Sequence, residues 1–128
     1  MKIIGIGLDL VKIARVRAAA ERWQERFLKR VFTEAECRYC FQRASPYPSL
    51  AARFAVKEAV LKALGTGWSR GVRWVDIEVL PDRTGRPQAS VEGRVRSLIR
   101  EVGVTNIHVT LSHDAEYAMA EAVLTADS

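Results

Sequence analysis

The sequence lacks any apolar run that approaches the length of a membrane span, and residues 1–11 lack the charged start, long apolar core and small-residue exit of a signal peptide. We therefore expect a cytoplasmic protein that does not bind membranes. It also lacks an internal repeat, a low-complexity tract and a linker, and its 128 residues suit one domain over 1–128. Hydrophobic residues make up 48% and charged residues 27%, which is typical of a folded globular chain.

Cysteine is scarce, but Cys37 and Cys40 have a CxxC spacing that raises a zinc or redox interpretation. Two thiolates do not complete a tetrahedral zinc site, and neither histidine lies at the spacing of a zinc finger. Thr33 and Glu36 form a capping box, which predicts a helix over 34–43 with both cysteines on one face. We interpret them as buried, reduced thiols, and a redox protein with a thiol of depressed pKa is the alternative.

The formal net charge of the chain is +5, which favours an anionic partner: nucleic acid, a phosphorylated cofactor or an acidic protein. Arginine and lysine are spread from Lys2 to Arg100, however, with no dense run and few aromatic residues between them. This pattern does not favour a dedicated nucleic-acid surface. A basic nucleic-acid-binding module without catalysis is kept as the alternative function, and it predicts strongly salt-dependent binding that ignores Mg²⁺.

The hydrophobic spacing of the chain predicts the order strand, three helices, two strands, helix and two strands. The longest helix is predicted over 50–64, with Ser49 as its N-cap and Gly65 as the residue that ends it. A strand is predicted over 74–80, and residues 81–87 predict the turn of a hairpin. This order indicates an α+β fold in which a mainly antiparallel sheet packs on a long central helix.

The first predicted strand, over 2–9, ends on an acidic residue. Side chains alternate between the two faces of a strand, so Gly5, Gly7 and Asp9 share one face. Asp9 therefore projects from a face on which the two glycines carry no side chains. The same stretch resembles the start of a dinucleotide-binding fingerprint, but Leu10 stands where the pattern continues and the third glycine is missing.

The long helix is apolar on most of its sides, which is typical of a buried helix. Ala55, Ala59 and Ala63 form a smooth stripe along it, and we expect the alanines of the last strand to pack there. Glu58 and Lys62 lie one turn apart among these apolar residues. Taken alone they suit an ordinary surface ion pair worth about 0.2 to 0.5 kcal/mol.

A second explanation for this charged stripe uses Asp9. If the first strand lies across the long helix, Asp9 and Glu58 converge, and two adjacent carboxylates need a proton or a cation between them. Hard oxygen ligands suit Mg²⁺, which completes its shell with water and substrate phosphate oxygens. Lys62, one turn beyond Glu58, would contact the same phosphates. The sequence therefore predicts a magnesium and phosphate site.

Four stretches of the chain carry a resemblance to a known family: GIGLDLVKIARV at 5–16, RFAVKEAVLKALGTG at 53–67, GRP at 85–87 and HVTLSH at 108–113. In order and spacing they resemble the signatures of bacterial holo-[acyl-carrier-protein] synthases, which are small 4′-phosphopantetheinyl transferases, over almost the whole chain. The resemblance implies that fold and Mg²⁺-dependent transfer of the 4′-phosphopantetheine group of coenzyme A to a serine of apo acyl carrier protein, with release of adenosine 3′,5′-bisphosphate. It further implies a homotrimer with active sites between protomers and a place in fatty acid biosynthesis.

The resemblance also assigns roles at the predicted magnesium site. Asp9 and Glu58 match the family's Mg²⁺ ligands, and Lys62 matches the lysine beside the coenzyme A pyrophosphate. We predict that Glu58, directly or through a metal-bound water, takes the serine proton, while Lys62 neutralises or protonates the leaving phosphate.

Further positions match the family's coenzyme contacts. Arg53 and His108 match positions that bind coenzyme A, chiefly its nucleotide phosphates, and Gly65 and Thr66 are expected to approach it through their backbone. The alternatives are a charge on the helix surface for Arg53 and a structural histidine for His108. We interpret His113 as a turn residue.

Three arginines that follow the first strand are predicted to bind the protein partner: Arg15, Arg17 and Arg22. Acyl carrier proteins are acidic, and the family docks them on a basic helix in this region. Charges at the rim of an interface mainly steer association and make it dependent on salt. The alternative is that these arginines only make the surface polar.

Overall fold

The computed structural model describes residues 1–67 and 71–127. In chain order the elements of these ranges are β1 (Lys2–Lys12), α1 (Ile13–Trp23), α2 (Glu25–Val31), α3 (Glu34–Cys40), α4 (Tyr47–Leu64), a 3₁₀ turn (Trp74–Asp76), β2 (Ile77–Pro81), β3 (Pro87–Val91), α5 (Gly93–Glu101), β4 (Asn106–His113) and β5 (Tyr117–Ala126). None of the helices in this part of the chain combines the length and apolarity that crossing a bilayer requires.

The strands form two antiparallel sheets. One sheet has the order β1, β5, β4, and the other is the β2–β3 hairpin. The long helix α4 packs against β1 and β5, and its apolar residues join those of both sheets and α5 in one core. This confirms the predicted α+β fold with antiparallel strands packed on a long central helix.

The long helix begins earlier than predicted. Pro46 is its N-cap and Pro48 lies in its first turn, where a missing backbone N–H removes no helical hydrogen bond. Ser49 is therefore buried inside the helix, and its prediction as the N-cap was wrong. Gly65 does end the helix: its φ of 79° is left-handed, and its N–H donates to the carbonyls of Leu61 and Lys62.

Other predicted boundaries shift by a few residues. The segment before α3, where the sequence predicts one or two helices up to about Arg30, forms two helices that are separated at Gln24, whose φ is 49°. The strand predicted over 74–80 begins at Ile77, and Trp74–Asp76 is a 3₁₀ turn. Asp76 explains this difference, since its buried carboxylate accepts the N–H of Arg73 at 3.2 Å and holds the turn closed.

Two glycines let β1 lie directly against α4. A Cβ at Gly7 would lie 1.9 Å from the carbonyl oxygen of Ala59, and one at Gly5 would lie 2.0 Å from that of Ala63. Both distances are impossible contacts, so these positions admit no side chain. Ala120 and Ala122 of β5 share the core with the alanine stripe as predicted, whereas Ala118 packs in a second cluster. The role of the β1 glycines as backbone neighbours of the stripe was missed.

A buried ion pair joins α4 to α3 and β2. The Lys57 Nζ donates to Oε1 of Glu36 at 2.7 Å and to the Val31 carbonyl at 2.7 Å, and both charged side chains are fully buried. The other oxygen of Glu36 accepts the Val79 N–H at 2.8 Å. Burial lowers the pKa of Lys57, an effect that Glu36 opposes. This pair fixes the rotation of α4 about its axis.

The two cysteines are free thiols. Cys40 is fully buried, as predicted, and Cys37 is half-buried. Burial raises the pKa of Cys40 to about 11 and also raises that of Cys37. A raised pKa suppresses the thiolate, so the structure argues against the redox alternative. The capping box of Thr33 and Glu36 that opens α3 is present.

Candidate active site

A cavity of about 740 Å³ between β1, α1 and α4 contains both predicted metal ligands, Asp9 and Glu58. Asp9 reaches it because it lies on the same face of β1 as Gly5 and Gly7, the face that contacts α4. Glu58 reaches it from the middle of α4. The two carboxylates are 49 positions apart in the sequence and are brought to one cavity by the packing of a strand on a helix.

Lys62 binds one oxygen of Asp9. Its Nζ donates to Oδ1 of Asp9 at 2.8 Å and to the carbonyl of Leu8 at 3.0 Å. The Asp9 side chain is 13% exposed and that of Lys62 is 53% exposed. The second oxygen, Oδ2, is buried and has no hydrogen-bond partner within 1–67 and 71–127. Lys62 was predicted to contact phosphates, and in this structure its ammonium group binds Asp9.

The donors of this cavity fit a magnesium ion. A buried carboxylate oxygen without a partner is costly unless something satisfies it, and among the residues that the structure describes Oδ2 of Asp9 is such an atom. Mg²⁺ is commonly held by one or two carboxylates and completes its shell with water and phosphate oxygens. Clusters of three or more histidine, cysteine or acidic side chains are absent from the described ranges. An ion held by Asp9 and Glu58 alone would thus depend on oxygens from a substrate.

Besides the two carboxylates, the cavity wall contains apolar side chains together with Lys12 and Arg15. Phe54, one turn before Glu58 on α4, contributes an aromatic wall and stacks on Trp74 with ring centroids 4.6 Å apart. Phe27 of α2 and Val16 of α1 also line the cavity. The carboxylates therefore lie beside an apolar surface, where electrostatic interactions are less screened than in water.

The predicted partner-binding arginines differ in their positions. Arg15 lines the cavity beside the carboxylates. Arg17 is exposed on α1 and pairs with Glu21 at 3.3 Å. Arg22 is also exposed, and its guanidinium lies 4.9 Å from the centre of the Trp23 ring. Arg15 is thus brought to the carboxylates, whereas Arg17 and Arg22 lie farther along the same helix.

Arg53 belongs to a second cavity. It is 5% exposed, its guanidinium lies 4.6 Å from the centre of the Tyr39 ring, and it donates to the Ser49 carbonyl at 3.3 Å. Its Nε is buried without a partner in the described ranges. The alternative of an exposed charge on the helix surface was therefore wrong. Five residues separate Arg53 from Glu58, about 140° around a helix, so the two face different sides of α4.

His113 shares the cavity of Arg53, which has a volume of about 270 Å³ and is also lined by Arg43. His113 was predicted as a turn residue and His108 as the coenzyme contact, but His113 is the last residue of β4. His108 lies on the other face of β4, where its Nε2 is 3.0 Å from the Thr125 hydroxyl, as the structural alternative proposed. Strand alternation could have found this difference, because residues five apart point to opposite faces.

Gly65 and Thr66 lie at the C-terminal end of α4, just beyond Lys62. Gly65 is exposed, so a ligand can approach its backbone. Thr66 is half-buried, and its hydroxyl lies 3.3 Å from the Gly67 carbonyl.

Known proteins resemble this chain over most of its length. The sequence model of the 4′-phosphopantetheinyl transferase superfamily matches residues 5–122. The holo-[acyl-carrier-protein] synthase of Solibacter usitatus is 41% identical over 122 residues, which are 95% of this chain and 98% of the relative. That of Chlamydia trachomatis is 44% identical over 121 residues, 94% of this chain and 98% of the relative.

Solved structures give the same result. The holo-[acyl-carrier-protein] synthase of Neisseria meningitidis superposes with a TM-score of 0.87 at 29% identity, and the match covers 96% of this chain and 98% of that one. The Helicobacter pylori synthase in complex with coenzyme A superposes with a TM-score of 0.83 at 28% identity, covering 94% and 99%. The chain therefore belongs to the 4′-phosphopantetheinyl transferase superfamily and, within it, to the holo-[acyl-carrier-protein] synthases.

Proposed function

We propose that this protein, as a single domain over 1–128, transfers the 4′-phosphopantetheine group of coenzyme A to a serine of apo acyl carrier protein in a Mg²⁺-dependent reaction. The observation that carries the proposal is the cavity shared by Asp9 and Glu58, in which a buried oxygen of Asp9 has no partner in the described ranges. In this reaction the serine oxygen forms a bond to the phosphorus that bears pantetheine, and the bond from that phosphorus to the bridging oxygen breaks. Adenosine 3′,5′-bisphosphate leaves.

Asp9 and Glu58 would hold the magnesium ion, which when bound supplies positive charge against the diphosphate of coenzyme A. We assign Glu58 as the base that takes the serine proton, since it lies in the cavity beside apolar walls and reaches it from a rigid helix. Lys62 neutralises or protonates the leaving phosphate, and its exposed side chain leaves it room to do so. Phosphoryl transfer of this kind depends mostly on positioning and charge.

We assign the nucleotide phosphates of coenzyme A to the cavity of Arg53. A buried guanidinium whose Nε–H has no partner in the described ranges, beside Arg43 and His113, supports an anion there. We propose His113 in place of His108, because the latter lies on the other face of β4 and is bonded to Thr125. Gly65 and Thr66 are retained as backbone contacts to the coenzyme.

The two cavities face different sides of α4, and this supports an active site assembled from neighbouring protomers of a homotrimer. The outer face of β1 also supports subunit contacts. Ile6, Leu8 and Leu10 are 54 to 59% exposed there, and Met119 of β5 is 44% exposed beside them. A continuous exposed apolar face of this kind commonly marks a protein interface. Light scattering of the purified protein measures the number of protomers directly.

The carrier protein is assigned to the mouth of the cavity of Asp9 and Glu58. Arg15 lines this cavity, and Arg17 and Arg22 extend the positive charge along α1. An acidic partner would be steered to that surface. Two free cysteines suit a reducing compartment, and we place the reaction in the cytoplasm, where it would serve fatty acid biosynthesis.

The proposed function is tested by incubating the protein with apo acyl carrier protein, coenzyme A and Mg²⁺, and measuring the intact mass of the carrier. We expect one phosphopantetheine adduct on the carrier, and none when EDTA removes the metal. Glu58→Gln should lower the rate by about 100-fold or more, whereas Glu34→Gln on the exposed face of α3 is the matched control. A carrier of unchanged mass, together with salt-dependent binding of nucleic acid, would support the alternative of a nucleic-acid-binding module.

A further inference from the structure

The contact between Lys62 and Asp9 affects how the proposed metal site fills. The ammonium group of Lys62 is bound at Oδ1 of Asp9 at 2.8 Å, and a second bond to the Leu8 carbonyl at 3.0 Å holds it there. A divalent cation that approaches Asp9 therefore meets a positive charge on the same carboxylate. A cation at Oδ2 and an ammonium group at Oδ1 repel each other, and the apolar side chains in the cavity wall screen this repulsion less than water would.

The other cationic residues of the cavity strengthen this effect. Lys12 and Arg15 line the same cavity as Asp9 and Glu58. With Lys62 on Asp9, three positive side chains outnumber the two carboxylates before any metal arrives. We therefore expect the protein without coenzyme to have little net attraction for a divalent ion.

Lys62 is able to leave Asp9. The Lys62 side chain is 53% exposed, whereas the Asp9 side chain is only 13% exposed. The lysine therefore has room to change its conformation, while the surrounding residues hold the carboxylate in place. A diphosphate at the cavity would offer Lys62 an acceptor of greater negative charge. When Lys62 turns to that acceptor, Oδ1 of Asp9 becomes available and the local positive charge is shared with the diphosphate.

We propose that Lys62 keeps the cation position of Asp9 closed until the diphosphate of coenzyme A draws its ammonium group away, so that cation and coenzyme bind cooperatively. This inference rests on the proposed function, because it takes Asp9 and Glu58 as the metal ligands. Thermodynamic linkage makes it reciprocal: the factor by which coenzyme A strengthens cation binding equals the factor by which the cation strengthens coenzyme binding.

The test measures Mn²⁺ binding to the full-length protein by electron paramagnetic resonance titration, without and with coenzyme A. Without coenzyme, Lys62→Met should bind Mn²⁺ more tightly than the wild type by about 5- to 150-fold, the usual range of a coupling between sites. With coenzyme A, the affinity of both proteins should rise, because phosphate oxygens complete the shell of the ion. The rise should be larger for the wild type, in which Lys62 also leaves Asp9.

Lys12→Met is the matched control, because it removes the same charge from the wall of the same cavity without breaking the bond to Asp9. It should change the Mn²⁺ affinity by far less than Lys62→Met. An equal effect would mean that any positive charge acts in this way and would overturn the inference, as would equal Mn²⁺ affinities of the wild type and Lys62→Met.

A second measurement needs no substitution. Nitrogen-15 NMR of the lysine side chains should show the Lys62 ammonium protected by its bond to Asp9, and coenzyme A with Mg²⁺ should shift that signal. A signal that does not move overturns the inference. The mass assay for carrier modification is run on the same preparation, so that failure of the proposed function, an unmodified carrier, is seen separately from independent binding of cation and coenzyme.

Discussion

The Nζ of Lys57 lies 2.7 Å from Oε1 of Glu36, and both side chains are fully buried. Nζ also donates to the carbonyls of Val31 and Trp74, so one side chain connects α4 to three other segments. Lys57 directly precedes Glu58, and Trp74 stacks on Phe54 in the wall of the cavity. This buried pair therefore helps to position the proposed catalytic residue Glu58.

Replacing one partner of this pair should be strongly destabilising. Lys57→Met removes the ammonium group and leaves the carboxylate of Glu36 buried without its counter-charge, which typically costs about 3 to 5 kcal/mol. Urea denaturation measures the change in the free energy of unfolding. The double variant Lys57→Met with Glu36→Gln should recover part of the loss, since no uncompensated charge remains. A single variant within about 0.5 kcal/mol of the wild type would contradict the buried pair.

A side chain at Gly7 should also be strongly destabilising. Gly7→Ala puts a Cβ 1.9 Å from the Ala59 carbonyl oxygen, and a backbone oxygen inside a helix cannot move aside cheaply. We expect a loss of roughly 3 kcal/mol or more in thermal or urea unfolding. Gly103→Ala is the control, because a Cβ there meets no atom of the described residues within 4 Å, and its φ of 81° is what opposes the change. Equal costs at the two positions would argue against the close contact of β1 and α4.

Helices and strands could be predicted from the sequence wherever the local spacing of residues determines them. The glycine-cleared face that carries Asp9 and the end of α4 at Gly65 are such cases. The burial of Lys57 and Arg53 could not be predicted from the sequence. A helical wheel shows that they share a charged stripe, but it does not show that Glu36 packs on Lys57 and Tyr39 on Arg53. Pairs separated by many residues are set by tertiary packing, which single-sequence patterns do not encode.

Replacing Arg53 should weaken the binding of coenzyme A and leave the binding of the carrier protein unchanged. Removing a charged hydrogen-bond donor costs about 1.5 to 3 kcal/mol, roughly 10- to 150-fold in affinity, so Arg53→Met should raise the KM for coenzyme A by that factor. The KM for the carrier protein should stay near its wild-type value. Arg100→Met, on the exposed side of α5, controls for the loss of positive charge. An unchanged KM for coenzyme A would show that the buried arginine is only structural.

Arg15 should affect the carrier and not the coenzyme. Arg15→Glu reverses a charge at the cavity that we assign to the acidic carrier, and at low salt we expect the apparent affinity for the carrier to fall by about tenfold. The difference should shrink as salt is added, because screening weakens rim charges. Arg100→Glu is the matched reversal on α5, distant in sequence and exposed. If both reversals lower the apparent affinity for the carrier equally, net charge alone steers the carrier, and the proposal that it docks on α1 is wrong.

Cys40 should make the protein less stable as the solution becomes alkaline. Burial raises its pKa from 9.0 to about 11 in the folded state, so between these values the unfolded chain loses the thiol proton while the folded chain keeps it. Fewer protons bound to the unfolded state mean that the free energy of unfolding falls as pH rises through this window. Two pKa units correspond to about 2 to 3 kcal/mol.

Because tyrosines and lysines titrate in the same range, the measurement is the difference between the wild type and Cys40→Ala, from urea denaturation at several values of pH. The wild type should lose stability more steeply than Cys40→Ala above pH 9, and parallel curves would mean that the thiol of Cys40 ionises as readily in the folded chain as in the unfolded one.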